Sequence, residues 1–519
     1  VSRRDLVLDA AVAAFALLLY AHLPSTQDAP GRDALYYTTV AASFAHGDGG
    51  WLRIGEVRFP PYHPVALSLL LAPCYLLPGD GLGRGLPVIT LSAVLLLVLL
   101  RRVADRWCGP PAGVLAVLFV ALAPEVLWMS RWIMTDVPAT LATLAAVAWA
   151  ADGRPLRAGL AVGAALALRT TGALLAPALL PLIGLAPRRL GAFALGLAPF
   201  AAFVLAQNAW FQGDPFRTGY HFHNAFFYDY PGIAFSARHA LALADRFDGL
   251  PGPGNLFVYG EDLLGVTIAL LPLPIAALAP FGLARLPRAR AVALAGVALL
   301  QLAVYVPYFW MERRFLLPLV PLGALAAAAG AAALWRRGGR ARALAAAVVL
   351  AGAALHAPRV IANRMENPFG PPRAAQVLRA AARLMEPEGL LVTWILPMLD
   401  EHYLVRAGRA YAPLVDFAMH LHPRRVSDPL PPEAPDETAV AGLAWFRPWA
   451  LERGARKLYL PGAYRLLDDL ERLARTRPVW FEDSAREKHP EAVQAIEERF
   501  RFEPVETVAG ARIGRLRPR

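Results

Sequence analysis

Arg3-Arg4-Asp5-Leu6-Val7-Leu8-Asp9-Ala10-Ala11-Val12-Ala13-Ala14-Phe15-Ala16-Leu17-Leu18-Leu19-Tyr20-Ala21-His22-Leu23 sets an apolar run behind a basic flank, and Arg32-Asp33-Ala34-Leu35-Tyr36-Tyr37 follows shortly after it. The run from Leu6 to Leu23 is long enough for a hydrocarbon core of about 30 Å. An acid beside tyrosines at the lip of such a helix costs too much desolvation to sit in lipid, so Asp33 is expected to face a wet cavity at the bilayer surface. A basic segment also begins a secretory signal, but no small-x-small cleavage site closes this run and many similar runs follow. A retained helix is therefore expected.

The chain has 519 residues, of which 57% are hydrophobic and only 18% charged. That balance excludes an ordinary soluble domain and points to a polytopic membrane protein. Further apolar runs recur to about residue 357, giving about eleven expected spans near 6–23, 84–104, 111–129, 136–151, 156–169, 172–186, 190–207, 257–283, 289–308, 314–335 and 342–357. Segment 64–78 is apolar but short and contains Pro64, Pro73 and Pro78, so it is expected to lie in the interface. Cys74 and Cys108 form no metal or disulfide pattern.

A net charge of +12 would suggest nucleic acid in a soluble protein; here the excess gathers in short connections. Arginines cluster at Arg3-Arg4, Arg101-Arg102 with Arg106, Arg154 with Arg157, Arg188-Arg189, Arg285 with Arg288 and Arg290, and Arg336-Arg337 with Arg340 and Arg342. Every second connection carries a cluster, and the positive-inside rule puts these, with the N-terminus, in the cytoplasm of a multi-pass cell (inner) membrane protein. No nucleic-acid partner is expected. Connections 24–83, 130–135, 170–171, 208–256 and 309–313 then lie outside.

After Pro358 the long apolar runs end, and about half of all charged residues fall there. A soluble unit over 358–519 is expected, extracytoplasmic because the number of spans is odd. Helical spacing over Ala374–Met385, a strand at Gly389–Ile395 and a helix at Tyr464–Arg475 suggest a small α/β domain, with Pro423–Pro435 as a loop. The fold class expected is thus mainly α, an apolar bundle over 1–357 followed by that domain. Asp400-Glu401-His402-Tyr403 reads as a solvated loop.

The external connections hold the unusual chemistry. Phe59-Pro60-Pro61-Tyr62-His63-Pro64 has prolines that fix the path and hold Tyr62 and His63 in place. Asp136, with Pro138 behind it, starts a helix; it caps that helix, faces the cavity, or does both. Trp310-Met311-Glu312-Arg313-Arg314-Phe315 puts paired arginines on the side that the charge bias otherwise leaves poor in them. Guanidinium groups suit bidentate phosphate binding, so a membrane-borne phosphate is the expected ligand, with Arg169 a further candidate; headgroup snorkelling or a pair with Glu312 is the plainer reading. Asn208, Trp210, Gly213-Asp214-Pro215-Phe216 and Tyr220-His221-Phe222-His223-Asn224 mix aromatic and hydrogen-bonding groups as sugar faces require. His221 and His223 alone make a poor metal site.

Taken in order, the Asp33-Ala34-Leu35-Tyr36 element after the first span, Pro60-Pro61, the acid before the fourth span, Gly213-Asp214-Pro215-Phe216 and Arg313-Arg314-Phe315 resemble the GT-C glycosyltransferases. The resemblance is to the group of protein O-mannosyltransferases and aminoarabinose transferases that use polyprenyl-phosphate sugars, and it covers about residues 1–357. Two departures stand out. Ala34 replaces the second acid frequent after the first helix, and Arg169 stands where many members have lysine.

The resemblance implies an enzyme that moves a sugar by inverting transfer from a polyprenyl-phosphate donor to an acceptor hydroxyl of a lipid, glycan or protein. Asp33 is the implied general base. Arg313, Arg314 and Arg169 are implied to hold the donor phosphate, and Tyr36, Tyr37, Tyr62, His63 and Tyr220 to line the sugar or acceptor side. Asp136 either tunes Asp33 or shares a divalent metal ion with it, because two carboxylates in one cavity raise one pKa or recruit a cation. A lipid or glycan transporter or flippase is the alternative, although transporters gather charge near the midplane and show internal repeats. A ligase-like polymerase and a non-catalytic relative are further alternatives.

Overall fold

The computed structural model describes residues 3–20, 32–54, 57–79, 81–220, 235–244, 251–267, 269–308, 310–365, 373–393, 403–404, 407–413, 466–484, 486 and 490–519. His221, His223, the Asp400–His402 stretch and the Pro423–Pro435 piece lie outside the described residues.

Apolar composition and helix-forming alanine and leucine give a helical bundle. Among the described residues five helices are long and apolar enough to cross a membrane: Leu82–Cys108, Pro187–Gln212, Arg288–Tyr305, Leu319–Arg337 and Gly339–Pro358. Shorter apolar helices include Ala112–Ala121, Asp136–Ala151 and Pro155–Leu168. Helix Arg3–Tyr20 packs on Leu86–Cys108, which in turn packs on Asp136–Ala151. Glycine permits the closest approach in the bundle. A Cβ on Gly159 would strike the Phe193 carbonyl oxygen and one on Gly196 the Leu156 carbonyl oxygen, so Pro155–Leu168 and Pro187–Gln212 meet backbone to backbone.

Three of the expected spans are not single helices. Run 111–129 divides into Ala112–Ala121 and Pro124–Met129, with Pro124 opening the second. Run 172–186 becomes the 3₁₀ turn Thr170–Leu174 and two short helices, Leu175–Ala178 and Leu180–Ile183, interrupted by Pro177 and Pro181. Run 257–283 begins as Asn255–Leu263, turns at Gly265 with φ +77°, and resumes as Leu273–Ala276 and Leu278–Leu283. Proline removes a helical N–H and clashes with the preceding turn, which the apolar count ignores. The short segment 64–78 forms helix Ala66–Tyr75. The last apolar helix does not stop at Pro358 but runs from Gly339 to Met365.

Beyond it lies a five-stranded sheet in the order Ala410–Pro413, Leu390–Thr393, Val479–Glu482, Ala511–Pro518, Phe500–Val508. The first three strands are parallel, and the C-terminal hairpin joins antiparallel. Alternation sends Leu390, Val392, Val479 and Phe481 to one face, where Leu470, Val493 and Ile496 cover them from helices Leu466–Ala474 and Pro490–Arg499. Leu391, Trp480 and Ile513 face the other way and pack in one cluster with Ala375 and Leu378 of helix Arg373–Leu384. The expected helix and strand at the start of this unit are present; the hairpin that completes the sheet was not expected.

Candidate functional site

Asp33 is the second residue of helix Arg32–Ala45, whose first turns are buried through Leu35, Tyr36 and Tyr37. Ser68 of helix Ala66–Tyr75 donates to the Tyr37 carbonyl at 2.9 Å, which ties the two helices together. Between them Pro60-Pro61-Tyr62-His63 turns inward. The His63 ring stacks on Tyr37 with centroids 4.9 Å apart and 18° between planes. Tyr36 lies 5.4 Å from Tyr62, Tyr62 lies 5.0 Å from Tyr220, and Tyr220 Oη is 3.0 Å from His63 Nδ1. All five aromatic residues expected beside Asp33 therefore converge in one recess.

Asp136 is the first residue of its helix, and Thr135 occupies the capping position. Its carboxylate, 1% exposed, accepts a hydrogen bond from Arg169. Arg169 is the extended residue that ends helix Pro155–Leu168, and its guanidinium lies 5.3 Å from the centre of the Phe315 ring. Asp136 is thus a buried acid paired with Arg169, and it lies one residue inside the cap position.

Arg314 joins the two acids. Its Nη2 donates to Asp33 Oδ2 at 2.6 Å, its Nη1 is 3.8 Å from Asp136 Oδ2, and its Nε donates to Glu312. Asp33 Oδ1 is also 3.7 Å from His63 Nε2, so one acid touches both the arginine and the aromatic recess. Burial pushes the Asp33 carboxyl up, yet the contact with His63 and the charge of Arg314 outweigh it and hold the acid well below the usual carboxylate range. Burial pushes the Tyr37, Tyr62 and Tyr220 hydroxyls up, so they remain neutral hydrogen-bonding groups.

Arg313 departs from the expected pairing. Arg313–Leu316 is a 3₁₀ turn, in which successive side chains diverge by about 120°. Arg313 Nε consequently donates to Asp262 at 3.0 and 3.1 Å, away from Asp33 and Asp136. Asp262 is fully buried, whereas the Arg313 side chain is 45% exposed. Asp262 is absent from the expected site because run 257–283 reads as one span; an acid inside an apolar run is the signal that could have found it. Trp310, which opens the same cluster, donates its Nε1–H to Glu312 at 2.6 Å. Asp214 accepts from the Phe216 N–H at 2.8 Å, which makes that motif a local turn.

The metal alternative meets an occupied position, since the guanidinium of Arg314 sits where a shared cation would. Among the described residues no three of His, Cys, Asp and Glu converge as a ligand set. The residues present do not fit a resident metal at this place.

No protein-family model and no curated protein matches the chain by sequence. Solved structures do match it. The chain is similar to ArnT from Cupriavidus metallidurans bound to undecaprenyl phosphate, with a TM-score of 0.62 and 15% identity over 99% of this chain and 98% of that one. The apo state of the same protein aligns with a TM-score of 0.59 at 15% identity, over 98% and 97% of the two chains. The arabinofuranosyltransferase AftD from Mycobacteria aligns with a TM-score of 0.54 and 18% identity, over all of this chain and 40% of that one. The expected resemblance holds at the level of architecture: the chain has the fold of the GT-C glycosyltransferases.

Proposed function

We propose that this chain is an integral membrane glycosyltransferase that moves a sugar from a polyprenyl-phosphate donor to an acceptor hydroxyl on the extracytoplasmic side. The observation that carries the reading is the bridge Asp33–Arg314–Asp136, with Arg169 on its far end, at the edge of a tyrosine-lined recess. A guanidinium that reaches two acids and remains 14% exposed suits a ligand that brings its own negative charge. ArnT, which shares the fold, has been captured with undecaprenyl phosphate, and that supports a lipid-phosphate ligand here.

The chemistry follows from the arrangement. When the donor phosphate takes Arg314, Asp33 loses a counter-charge and becomes a stronger base beside the acceptor hydroxyl. The acceptor proton passes to Asp33 as its oxygen attacks the anomeric carbon. The sugar–phosphate bond breaks, and its electron pair stays on the lipid phosphate. Arg314 and Arg169 stabilise the charge that grows on this leaving group. Asp136 keeps both arginines in place, and attack opposite the leaving group inverts the anomeric centre. The sheet domain that follows helix Gly339–Met365 would then lie on the extracytoplasmic side, where it selects or covers the acceptor.

Mass spectrometry of lipid-linked sugars and envelope glycans in a deletion strain tests the proposal. A polyprenyl-phosphate sugar should accumulate while one glycan, lipid or protein loses that sugar. An unchanged pool of lipid-linked sugars and unchanged products would refute it.

A further inference from the structure

Helix Asn255–Leu263 carries Asn255, Tyr259 and Asp262 at positions i, i+4 and i+7, which share one helix face. All three are buried, at 0%, 1% and 0% exposure. Buried polar groups are usually held by partners, and each of these three residues has specific ones, while Asn255 Oδ1 has none among the described residues. The two N–H bonds of Asn255 Nδ2 are shared among the carbonyls of Tyr305, Val306 and Tyr308, which lie at 3.1, 3.0 and 2.6 Å where helix Arg288–Tyr305 ends and its carbonyls lack helical partners. Tyr259 Oη accepts from the Glu312 N–H at 3.3 Å and lies 3.4 Å from the Glu312 carbonyl. Asp262 accepts from Arg313 Nε at 3.0 and 3.1 Å.

One helix face therefore grips the chain at the end of one helix, at Glu312 and at Arg313. The gripped segment delivers Arg314 to Asp33 and Asp136. Among the described residues Asp262 bonds Arg313 through Nε alone, and the guanidinium is 45% exposed, which leaves its two terminal nitrogens free to meet an anion there. We propose that Asn255, Tyr259 and Asp262 are positioning residues that aim the Arg313–Arg314 turn at the lipid phosphate, a role that rests on the phosphate reading of Arg314. A displacement of the turn by about 1 Å would misplace both guanidinium groups, and such errors cost on the order of 10²-fold in transfer.

The sign of the Asp262 effect separates aiming from simple charge balance. If Asp262 only neutralised Arg313, its removal would tighten anion binding. If it aims Arg313, removal loosens binding although a negative charge is lost. Binding of undecaprenyl phosphate to the full chain in lipid nanodiscs reads this directly. Asp262→Ala should weaken binding on the order of tenfold, and Asp262→Asn, which keeps one accepting oxygen, should recover part of that loss. Tyr259→Phe, which preserves the ring and the fold, should weaken binding about threefold and raise the donor KM in proportion. Unchanged or tighter binding by Asp262→Ala, or unchanged binding by Tyr259→Phe, overturns the proposal. Arg314→Ala separates the levels. If it binds as the wild type does, the phosphate reading falls and the proposal with it; if it alone loses binding, only the proposal falls.

Discussion

Two arginine–carboxylate clusters stand at opposite ends of helix Asp136–Ala151, about 24 Å apart at a helical rise of 1.5 Å per residue. Beyond the Ala151 end, Arg106 pairs with Asp152, and Arg101 gathers Asp9 at 2.6 Å, Asp105 at 2.9 Å and Asp5 at 3.6 Å. Arg101 is 1% exposed, Asp9 is shared with Arg102 at 2.7 Å, and Asp105 also accepts from the Gly113 N–H at 2.8 Å. Arg101 and Asp9 are enclosed, at 1% and 11% side-chain exposure, while Asp5, Arg102 and Arg106 at the rim keep 46%, 43% and 49%. At the Asp136 end, Asp33 keeps 29% of its side-chain exposure, and Asp136 Oδ2 has no hydrogen-bond partner among the described residues. Aromatic rings flank that cluster through Tyr36, Tyr37, Tyr62 and His63. The same residue types make a closed staple at one end and an unfinished site at the other.

The largest effect should come from opening the closed cluster. Arg101→Met leaves Asp105 without its ion pair and Asp9 with Arg102 alone, and should cost about 3 kcal/mol, seen as loss of folded protein in thermal melts. At the open cluster the same kind of change should spare the fold and remove activity. Asp136→Asn should lower transfer on the order of 10²-fold, because Arg169 and Arg314 lose their common anchor, while the melting temperature moves far less than with Arg101→Met. A melting loss as large as that of Arg101→Met would erase the distinction between the clusters. Arg314→Lys keeps the charge but not the fork, and should weaken polyprenyl-phosphate binding about tenfold in an equilibrium assay.

The smallest effect concerns pH. Asp33 has its carboxyl held low in the folded protein, so the folded state binds fewer protons there than the unfolded one. Its contribution to stability is present above the ordinary carboxylate pKa of about 3.9 and is lost as pH falls through the lower folded value. The melting difference between the wild type and Asp33→Asn should therefore shrink as pH drops below about 4. A gap that stays constant or widens would mean that Arg314 does not stabilise the Asp33 carboxylate.

Composition and arginine spacing made the helical bundle legible, and a lone acid after the first helix made Asp33 legible. Asp136, Arg169 and Arg314 were also readable as residues, because charge at the end of an apolar run is costly without a purpose. What could not be read was direction. Arg313 and Arg314 are neighbours in sequence, yet the 3₁₀ turn sends them to different acids. Asp262 and Tyr259 were hidden because the run 257–283 looked continuous, and only the turn at Gly265 shows that its first part is a separate short helix. The C-terminal hairpin was illegible for another reason. Its strands alternate arginine and glutamate with apolar residues, and they pair with each other across one tight turn at Ala509–Gly510.

The central claim is that Asp33 takes the acceptor's proton while Arg314 holds the donor's phosphate. Asp33→Asn tests it when transfer and undecaprenyl-phosphate binding are measured on the same purified protein. The account predicts a fall in transfer on the order of 10³-fold with binding retained or tightened, because a competitor for Arg314 has been removed. Transfer at the wild-type rate, or transfer and binding lost together, would contradict it.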